Sequence, residues 1–243
     1  MNILLIVASG KSSRFGGFPK AFCELGVITN VENTINKSKQ VIDKVYIGVN
    51  SNTYNQFHDK IHGCEMFSIK TGQGDAHSLL KCMKHIKAYE EKVDNFLVCW
   101  GDAVFVSAKP FEELINVAGD AIVACARDAK PYAWFDIDDN NNIVKSHFAK
   151  EEGEVDEGLH DQSLFKFNLD YALSYLDIYR THLGIPDNND ENQSDINEMK
   201  LLYSFEYLHE KGQPVKCFEI TKNQVLAFNT QSELEEIKKK LSL

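Results

Sequence analysis

The chain has 243 residues, 43% of them hydrophobic, with a formal net charge of −10. That is enough for one large domain with a substantial core, and the acidic balance argues against a general nucleic-acid binder, which needs a basic face. No apolar run is long enough to span a membrane, and the short N-terminal apolar stretch lacks the basic flank of a signal peptide, so a soluble cytoplasmic protein with neither nucleic-acid nor membrane partners is expected.

In chain order, residues 2–8 ("NILLIVA") form a continuous aliphatic run, the pattern of a strand buried on both faces. Residues 30–39 read as helix, 43–50 as a second buried strand, 52–61 as helix and 64–70 as strand. Residues 75–89 space Ala76, Leu79, Leu80, Met83 and Ile86 for one helix face. Residues 95–100 ("NFLVCW") are a third apolar strand, 108–118 a helix and 121–127 a strand. Strands alternating with helices predict an α/β fold, a Rossmann-like three-layer sandwich around a mostly parallel sheet.

The pattern then changes. Residues 133–148 hold two short strands around an Asp-Asn-rich turn, predicting an inserted β-hairpin lobe. Residues 163–168 read as strand, and 169–183 and 196–211 as helices, with a polar acidic connection between them. Residues 215–220 and 224–228 are late strands, and 232–241 a closing helix capped by Ser232. No repeat or linker divides the chain. One domain over 1–243 is expected, with a nucleotide-binding half at about 1–128 and an acceptor-binding half at about 129–243. The six cysteines, Cys23, Cys64, Cys82, Cys99, Cys125 and Cys217, form no CxxC pair and read as reduced buried thiols. His58, His62 and Cys64 have helical metal spacing but lack an evident third and fourth ligand.

In an open α/β sheet, ligands bind beyond the carboxyl ends of the strands, and three loops there carry unusual chemistry. The first is "ASGKSSRFGGFPK". Gly10, Gly16 and Gly17 let backbone N–H groups approach an anion, and Arg14 and Lys20 add charge, as a triphosphate requires. It is neither a P-loop nor a GxGxxG fingerprint, and a solvated turn has the same composition. The second, "TGQGDAHS", opens a helix whose first N–H groups could receive an anion or a base edge; an ordinary capped helix entry reads alike. The third places Asp102 directly after a buried strand, where one carboxylate with phosphate oxygens can hold Mg²⁺. Asn229, directly after strand 224–228, is the second ligand candidate.

These segments, in this order, resemble the nucleotidyltransferases of the sugar-nucleotide pyrophosphorylase type, in particular the uridylyltransferase domain of N-acetylglucosamine-1-phosphate enzymes. "VASGKSSRFGGFPK" resembles their opening AAGxGxRxGxxxPK loop, "GQGDAHSLL" their base- and ribose-binding segment, "CWGDAVFVS" their metal-binding Gly-Asp, and "VLAFNTQSELEEI" the late segment whose Asn shares the metal. The resemblance implies nucleotide contacts at Ala8, Ser9, Gly10, Lys11, Ser12, Ser13, Gln73, Gly74, Asp75 and Gly101. It also implies catalytic charge at Arg14 and Lys20, Mg²⁺ on Asp102 and Asn229, and acceptor contacts at Tyr132, Lys150 and Asp161.

The chain departs from the pattern at Ser12, which replaces a glycine, at a shortened Arg-to-Pro spacing, at Tyr132-Ala133 in place of Tyr-Gly, and at Asp161-Gln162-Ser163 in place of Asn-Thr-Gly. The implied reaction couples an NTP, CTP or UTP, to a phosphorylated small molecule and releases pyrophosphate. Residues 148–163, "FAKEEGEVDEGLHDQS", read as an acidic acceptor wall suited to an amino group, as on phosphocholine, phosphoethanolamine, an aminosugar phosphate or a phosphorylated amino acid. Stand-alone members of this size serve surface-polysaccharide and capsule pathways, among them a cytidylyltransferase acting on phosphoglutamine. Two other readings stay open: a non-catalytic nucleotide-binding module, and a glycosyltransferase that uses a finished nucleotide-sugar.

Overall fold

The structure, a computed structural model, describes residues 1–10, 12, 15–70, 72–187 and 198–242. Its first strand, β1 (Asn2–Ala8), has Ile3 to Ile6 at 1% exposure or less, as its unbroken aliphatic sequence requires. There follow β2 (Glu24–Leu25), β3 (Ile28–Thr29), α1 (Asn30–Ser38), β4 (Lys44–Val49), α2 (Ser51–Phe57), β5 (Glu65–Ser68) and α3 (Asp75–Lys87). Next come β6 (Asn95–Trp100), β7 (Ala103–Phe105), α4 (Lys109–Ile115), β8 (Ala121–Ala129), β9 (Ala133–Ile137), β10 (Ile143–Phe148), α5 (Ala149–Glu152) and β11 (Glu157–Phe167). The chain closes with α6 (Leu169–His182), α7 (Leu201–Glu210), β12 (Lys216–Glu219), β13 (Val225–Ala227) and α8 (Gln231–Lys240).

Seven strands form the main sheet in the order β12-β8-β11-β6-β1-β4-β5. Only β11 runs antiparallel to its neighbours, β6 and β8; the other pairings are parallel. Alternate residues of β1 face two separate cores. Ile3, Leu5 and Val7 pack with α3, α6 and α7, while Leu4 and Ile6 pack with the side of α1, α2 and α4. The three-layer α/β sandwich expected from the sequence is therefore the fold, and strands from both halves of the chain share its sheet. Among the described residues no helix is long and apolar enough to cross a membrane.

The hairpin β9–β10 pairs antiparallel outside the main sheet. On it, His147 stacks on Trp134 at 5.1 Å between ring centroids. Its two ring nitrogens each lie 2.9 Å from a carboxylate, Asp136 on β9 and Glu152 on α5. Lys145 reaches Glu152 at 4.0 Å. Burial lowers the His147 pKa, but the two carboxylates outweigh it and the net shift is upward from 6.5. A pKa raised on folding contributes stability that is complete below the unfolded value and disappears as pH rises through the folded one. The melting temperature of His147→Gln should therefore lie furthest below that of the wild type near pH 5, with the gap closing toward about pH 8. A gap that widens with pH would show that the imidazolium is not what holds the lobe.

Three local expectations are corrected. The closing helix is capped by Thr230, not Ser232: its hydroxyl accepts from Glu233 N while the Glu233 carboxylate accepts from Thr230 N, a reciprocal capping box. Residues 103–105, read as loop, form β7 against β13. Residues 148–163, read as an acidic acceptor wall, are largely regular secondary structure. Their first part is α5 and their last seven residues belong to β11, which is eleven residues long and carries a bulge between Asp161 and Phe165.

Candidate active site

The pairing of β7 with β13 puts Ala103 opposite Ala227. Asp102 precedes the first of these strands and Asn229 lies two residues past Ala227, so the ribbon delivers both to one end. Lys20 reaches the same point from a single 3₁₀ turn, Lys20–Phe22, which is anchored by Phe22 stacked on Phe57 at 4.2 Å. Its Nζ donates to Asp102 Oδ2 at 2.6 Å, to Asn229 Oδ1 at 3.0 Å and to the Phe228 carbonyl at 3.3 Å. The capping box fixes Asn229 from the other side, its N–H donating to Glu233 at 2.5 Å. Three residues 82 and 209 positions from one another in sequence thus converge on one point.

That point opens on a cleft of about 670 Å³, a size suited to a small-molecule site. The β1 loop supplies Ala8, Ser9, Gly10 and Ser12 to its lining, the α3 entry supplies Gly74 and Asp75, and Gly101, Asp102, Tyr132 and Asn229 complete the sequence-based candidates found there with Lys20. Gly101 is packed so closely that a Cβ on it would stand 2.9 Å from the Ala8 Cβ and 3.0 Å from that of Ala21. Lys11, Ser13 and Arg14 lie outside the described residues.

The α3 entry is strapped to the segment before α7. Met199 N donates to Gln73 O at 2.7 Å and Ala76 N to Met199 O at 3.1 Å. Asp75 Oδ1 accepts from Ala76 N at 2.6 Å and from Leu201 N at 2.8 Å, so this carboxylate covers the first amide of α7. Burial by the surrounding protein pushes the Asp75 carboxyl up to about 6 against those two amides, although the side chain still meets solvent through the cleft. Gln73 contributes its backbone to this strap and is not part of the cleft lining. Its N–H also donates to His77 Nδ1 at 3.1 Å. Burial holds His77 down at about 4, so the ring is neutral and available as that acceptor.

The acceptor-side candidates separate. Tyr132 stands over the cleft with an exposed ring, and its hydroxyl donates to Asp161 Oδ1 at 3.0 Å. Asp161 itself is 2% exposed and does not line the cleft. Its other partners are the Ser163 amide at 3.2 Å and His160 Nδ1 at 3.4 Å. Burial pushes the Asp161 carboxyl up, and His160, Tyr132 and the Ser163 amide together bring it below its ordinary value. Lys150 lies outside the cleft lining, on α5, paired with Glu151 at 3.4 Å and 5.7 Å from the Tyr203 ring centre. The neighbouring carboxylates are engaged by other groups of the protein: Glu151 with the Tyr203 hydroxyl, Glu152 with His147 and Glu154 with Lys130. The carboxylates that do line the cleft are Asp75, Asp102 and Glu198.

Sequence reading missed Trp100, Glu198 and Asn30. Trp100 lines the cleft at the end of β6, its ring edge-on to Phe165 at 5.5 Å. Asn30 is 1% exposed and its Nδ2 donates to the carbonyls of Gly101 and Ala103, at 3.1 and 3.0 Å, bracketing Asp102. An Asn directly after the capping-box Thr29 was the available signal.

The donor set suits a hard divalent cation. One carboxylate oxygen and one amide oxygen already converge on a single positive charge, and Mg²⁺ takes one or two protein oxygens with the rest from phosphates and water. Among the described residues no three His, Cys, Asp or Glu side chains come together as a metal cage, at His58 and Cys64 or elsewhere.

The MobA-like NTP transferase domain matches this chain over residues 4–231. The chain belongs to that family. Solved structures agree in fold with this NTP transferase domain. An inositol-1-phosphate CTP transferase from T. maritima is 16% identical with a TM-score of 0.72, covering 100% of this chain and 95% of its own. The CTP:phosphocholine cytidylyltransferase from Streptococcus pneumoniae is 12% identical with a TM-score of 0.71, at 99% and 100% coverage. A putative glucose-1-phosphate thymidylyltransferase from Bacillus anthracis is 16% identical with a TM-score of 0.71, at 99% and 95%. No curated protein matches the chain in sequence.

The Asp161 placement changes what substitutions in this NTP transferase should do. If Asp161 acts through Tyr132, then Tyr132→Phe and Asp161→Asn should each raise the acceptor KM roughly three- to tenfold. The double variant should show no further loss, and the NTP KM should stay as it was. Additive losses in steady-state kinetics would give Asp161 a role independent of Tyr132.

Proposed function

We propose that this nucleotidyltransferase couples CTP or UTP to a phosphorylated, amino-bearing small molecule and releases pyrophosphate, in a pathway that builds surface-polysaccharide precursors. The convergence of Lys20, Asp102 and Asn229 at the mouth of the cleft carries the reading, because it joins one fixed cation with two metal-type oxygens beyond the carboxyl ends of β1 and β6.

The reaction needs no protein nucleophile. An oxygen of the acceptor's phosphate attacks the α-phosphorus in line, the new O–P bond forms as the bond to the β-phosphate oxygen breaks, and pyrophosphate departs. The protein positions the two substrates and stabilises charge. Amides of the β1 loop line the triphosphate's place, Lys20 offers its ammonium to the leaving phosphates, and Asp102 and Asn229 would hold Mg²⁺. Bound there, Mg²⁺ would supply positive charge to the α-phosphate and the acceptor phosphate.

In this reading the carboxylates that would receive an amino group are Asp75 and Glu198, which line the cleft, and not residues 148–163; Asp75, a nucleotide contact by the resemblance, is here given to the acceptor. Desolvation raises the Asp75 pKa, and a nearby ammonium would relieve it. Tyr132 offers an aromatic face to the same ligand. Pyrophosphate release measured with each NTP against phosphocholine, phosphoethanolamine, phosphoglutamine, an aminosugar phosphate and glucose-1-phosphate tests the proposal. Turnover should be highest with CTP or UTP and an amino-bearing acceptor. Glucose-1-phosphate as the best acceptor would end the amino reading. Binding of a nucleotide-sugar with no pyrophosphate release from any pair would end the nucleotidyltransferase reading.

A further inference from the structure

In the structure, Lys20 lies on the oxygens that the proposed function gives to a divalent cation. Its Nζ lies 2.6 Å from Asp102 Oδ2 and 3.0 Å from Asn229 Oδ1, with the Phe228 carbonyl as a third acceptor at 3.3 Å. An ammonium has three protons to donate, and these three oxygens take them all. The Lys20 side chain is 18% exposed and that of Asp102 27%, so this is a half-sheltered pair and not a surface contact. Among the described residues lining the cleft, Lys20 is the one cation, facing the carboxylates Asp75, Asp102 and Glu198.

We infer that Lys20 is a placeholder cation. In the free protein it neutralises Asp102 and keeps a divalent ion off the Asp102–Asn229 pair, and the nucleotide lifts it away. The inference rests on Asp102 and Asn229 being the metal ligands. Two cations a few ångströms apart on one carboxylate repel each other, so ammonium and metal cannot share these oxygens on equal terms. A triphosphate changes the balance. It brings several anionic oxygens to the β1 loop, within the cleft Lys20 already lines, and these can take the ammonium while the metal arrives on the phosphates. Lysine suits such a transfer because its charge sits on a flexible four-carbon stem and its three donors reorient freely. The consequence is an order of binding: metal with nucleotide, not metal before nucleotide. A metal-loaded, empty cleft would hold inorganic phosphate or pyrophosphate unproductively; the placeholder prevents that state.

The test is Mn²⁺ binding, read from the electron-spin resonance signal of the free ion, with no turnover involved. Wild type, Lys20→Met, Lys20→Gln and Asp102→Asn are titrated alone and with CTP or UTP analogues whose α,β bridge cannot be cleaved. Wild type alone should bind Mn²⁺ weakly at this site, and its affinity should rise when the analogue is added. Lys20→Met and Lys20→Gln should bind Mn²⁺ without nucleotide roughly ten- to a hundredfold more tightly than wild type, the weight of one charge-assisted contact removed from the competition. Both variants should fold, because a part-exposed ion pair contributes little to stability. Unchanged or weaker Mn²⁺ binding in both lysine variants would overturn the placeholder, as would a wild type that binds Mn²⁺ equally well with and without nucleotide. Asp102→Asn separates this failure from failure of the metal assignment. If it loses Mn²⁺–nucleotide binding while the lysine variants gain nothing, Asp102 remains a ligand and only the placeholder falls. If it binds Mn²⁺–nucleotide like wild type, the ligand assignment itself is wrong.

Discussion

Asp102→Asn is expected to lower pyrophosphate release by at least about a thousandfold while the melting temperature stays within a few degrees of wild type. The amide keeps the size of the side chain and can still accept from Lys20 through its own oxygen, so little packing is disturbed. What disappears is the full negative charge beside Lys20 and Asn229, where the proposed function places the substrate phosphates. The stability cost should be under about 1 kcal/mol, because the ion pair is part-exposed and solvent screens it. Steady-state kinetics with a calorimetric melt decide the matter. Near-normal turnover in a folded variant would remove Asp102 from the reaction, and a collapsed melt would assign it to the scaffold.

The first strands and the loops that follow them were readable because their signals are local. An unbroken aliphatic run as short as residues 2–8 favours a central strand, and the loop after it then lies over the sheet's carboxyl edge. Asp102 and Asn229 were each found as the polar residue next to a strand. What brings them together was not readable, since it depends on β7 pairing with β13, two three-residue strands separated by more than a hundred positions. Strands so short carry almost no periodicity.

Residues 148–163 were read less well, for a different reason. Charge composition says how many carboxylates a segment has but not where their partners lie. In residues 148–163 the partners are His147, Tyr203, Lys130 and Tyr132, all within the protein. The acidic residues that line the cleft are Asp75, Asp102 and Glu198, and of these Asp75 and Glu198 stand far apart in sequence and are brought together by the strap between the α3 entry and the segment before α7.

Two departures noted in the sequence acquire a common meaning. Ser12 and Ser163, both standing where the resembled enzymes have glycine, adopt left-handed backbone with φ of 47° and 55°. The conformation is kept although the residue that adopts it without cost has gone. Each serine is supported locally: the Ser12 carbonyl accepts from Phe15 N and Gly17 N, and the Ser163 amide is held by Asp161. At both positions the turn is kept without the glycine.

Gly74→Ala should destabilise the fold markedly. Gly74 has φ 103° and ψ 175°, a region essentially reserved for glycine, and a Cβ there would stand 2.3 Å from the Met199 carbonyl oxygen. That carbonyl accepts from Ala76 N, and the Met199 amide donates to Gln73, so the neighbour cannot yield without breaking the strap that holds Asp75 and Glu198 at the cleft. Backbone strain and overpacking together should cost about 2–5 kcal/mol. For a chain of this size that lowers the melting temperature by roughly 5–15 °C. Acceptor kcat/KM should fall further than the melt alone explains, since the displaced segment carries cleft residues. Gly10→Ala is the control for stability: its Cβ would meet nothing within 4 Å, and its φ is not in the left-handed region, so its melt should match wild type. If Gly74→Ala melts like Gly10→Ala, the strap is free to move and the α3 entry is not a rigid wall of the cleft.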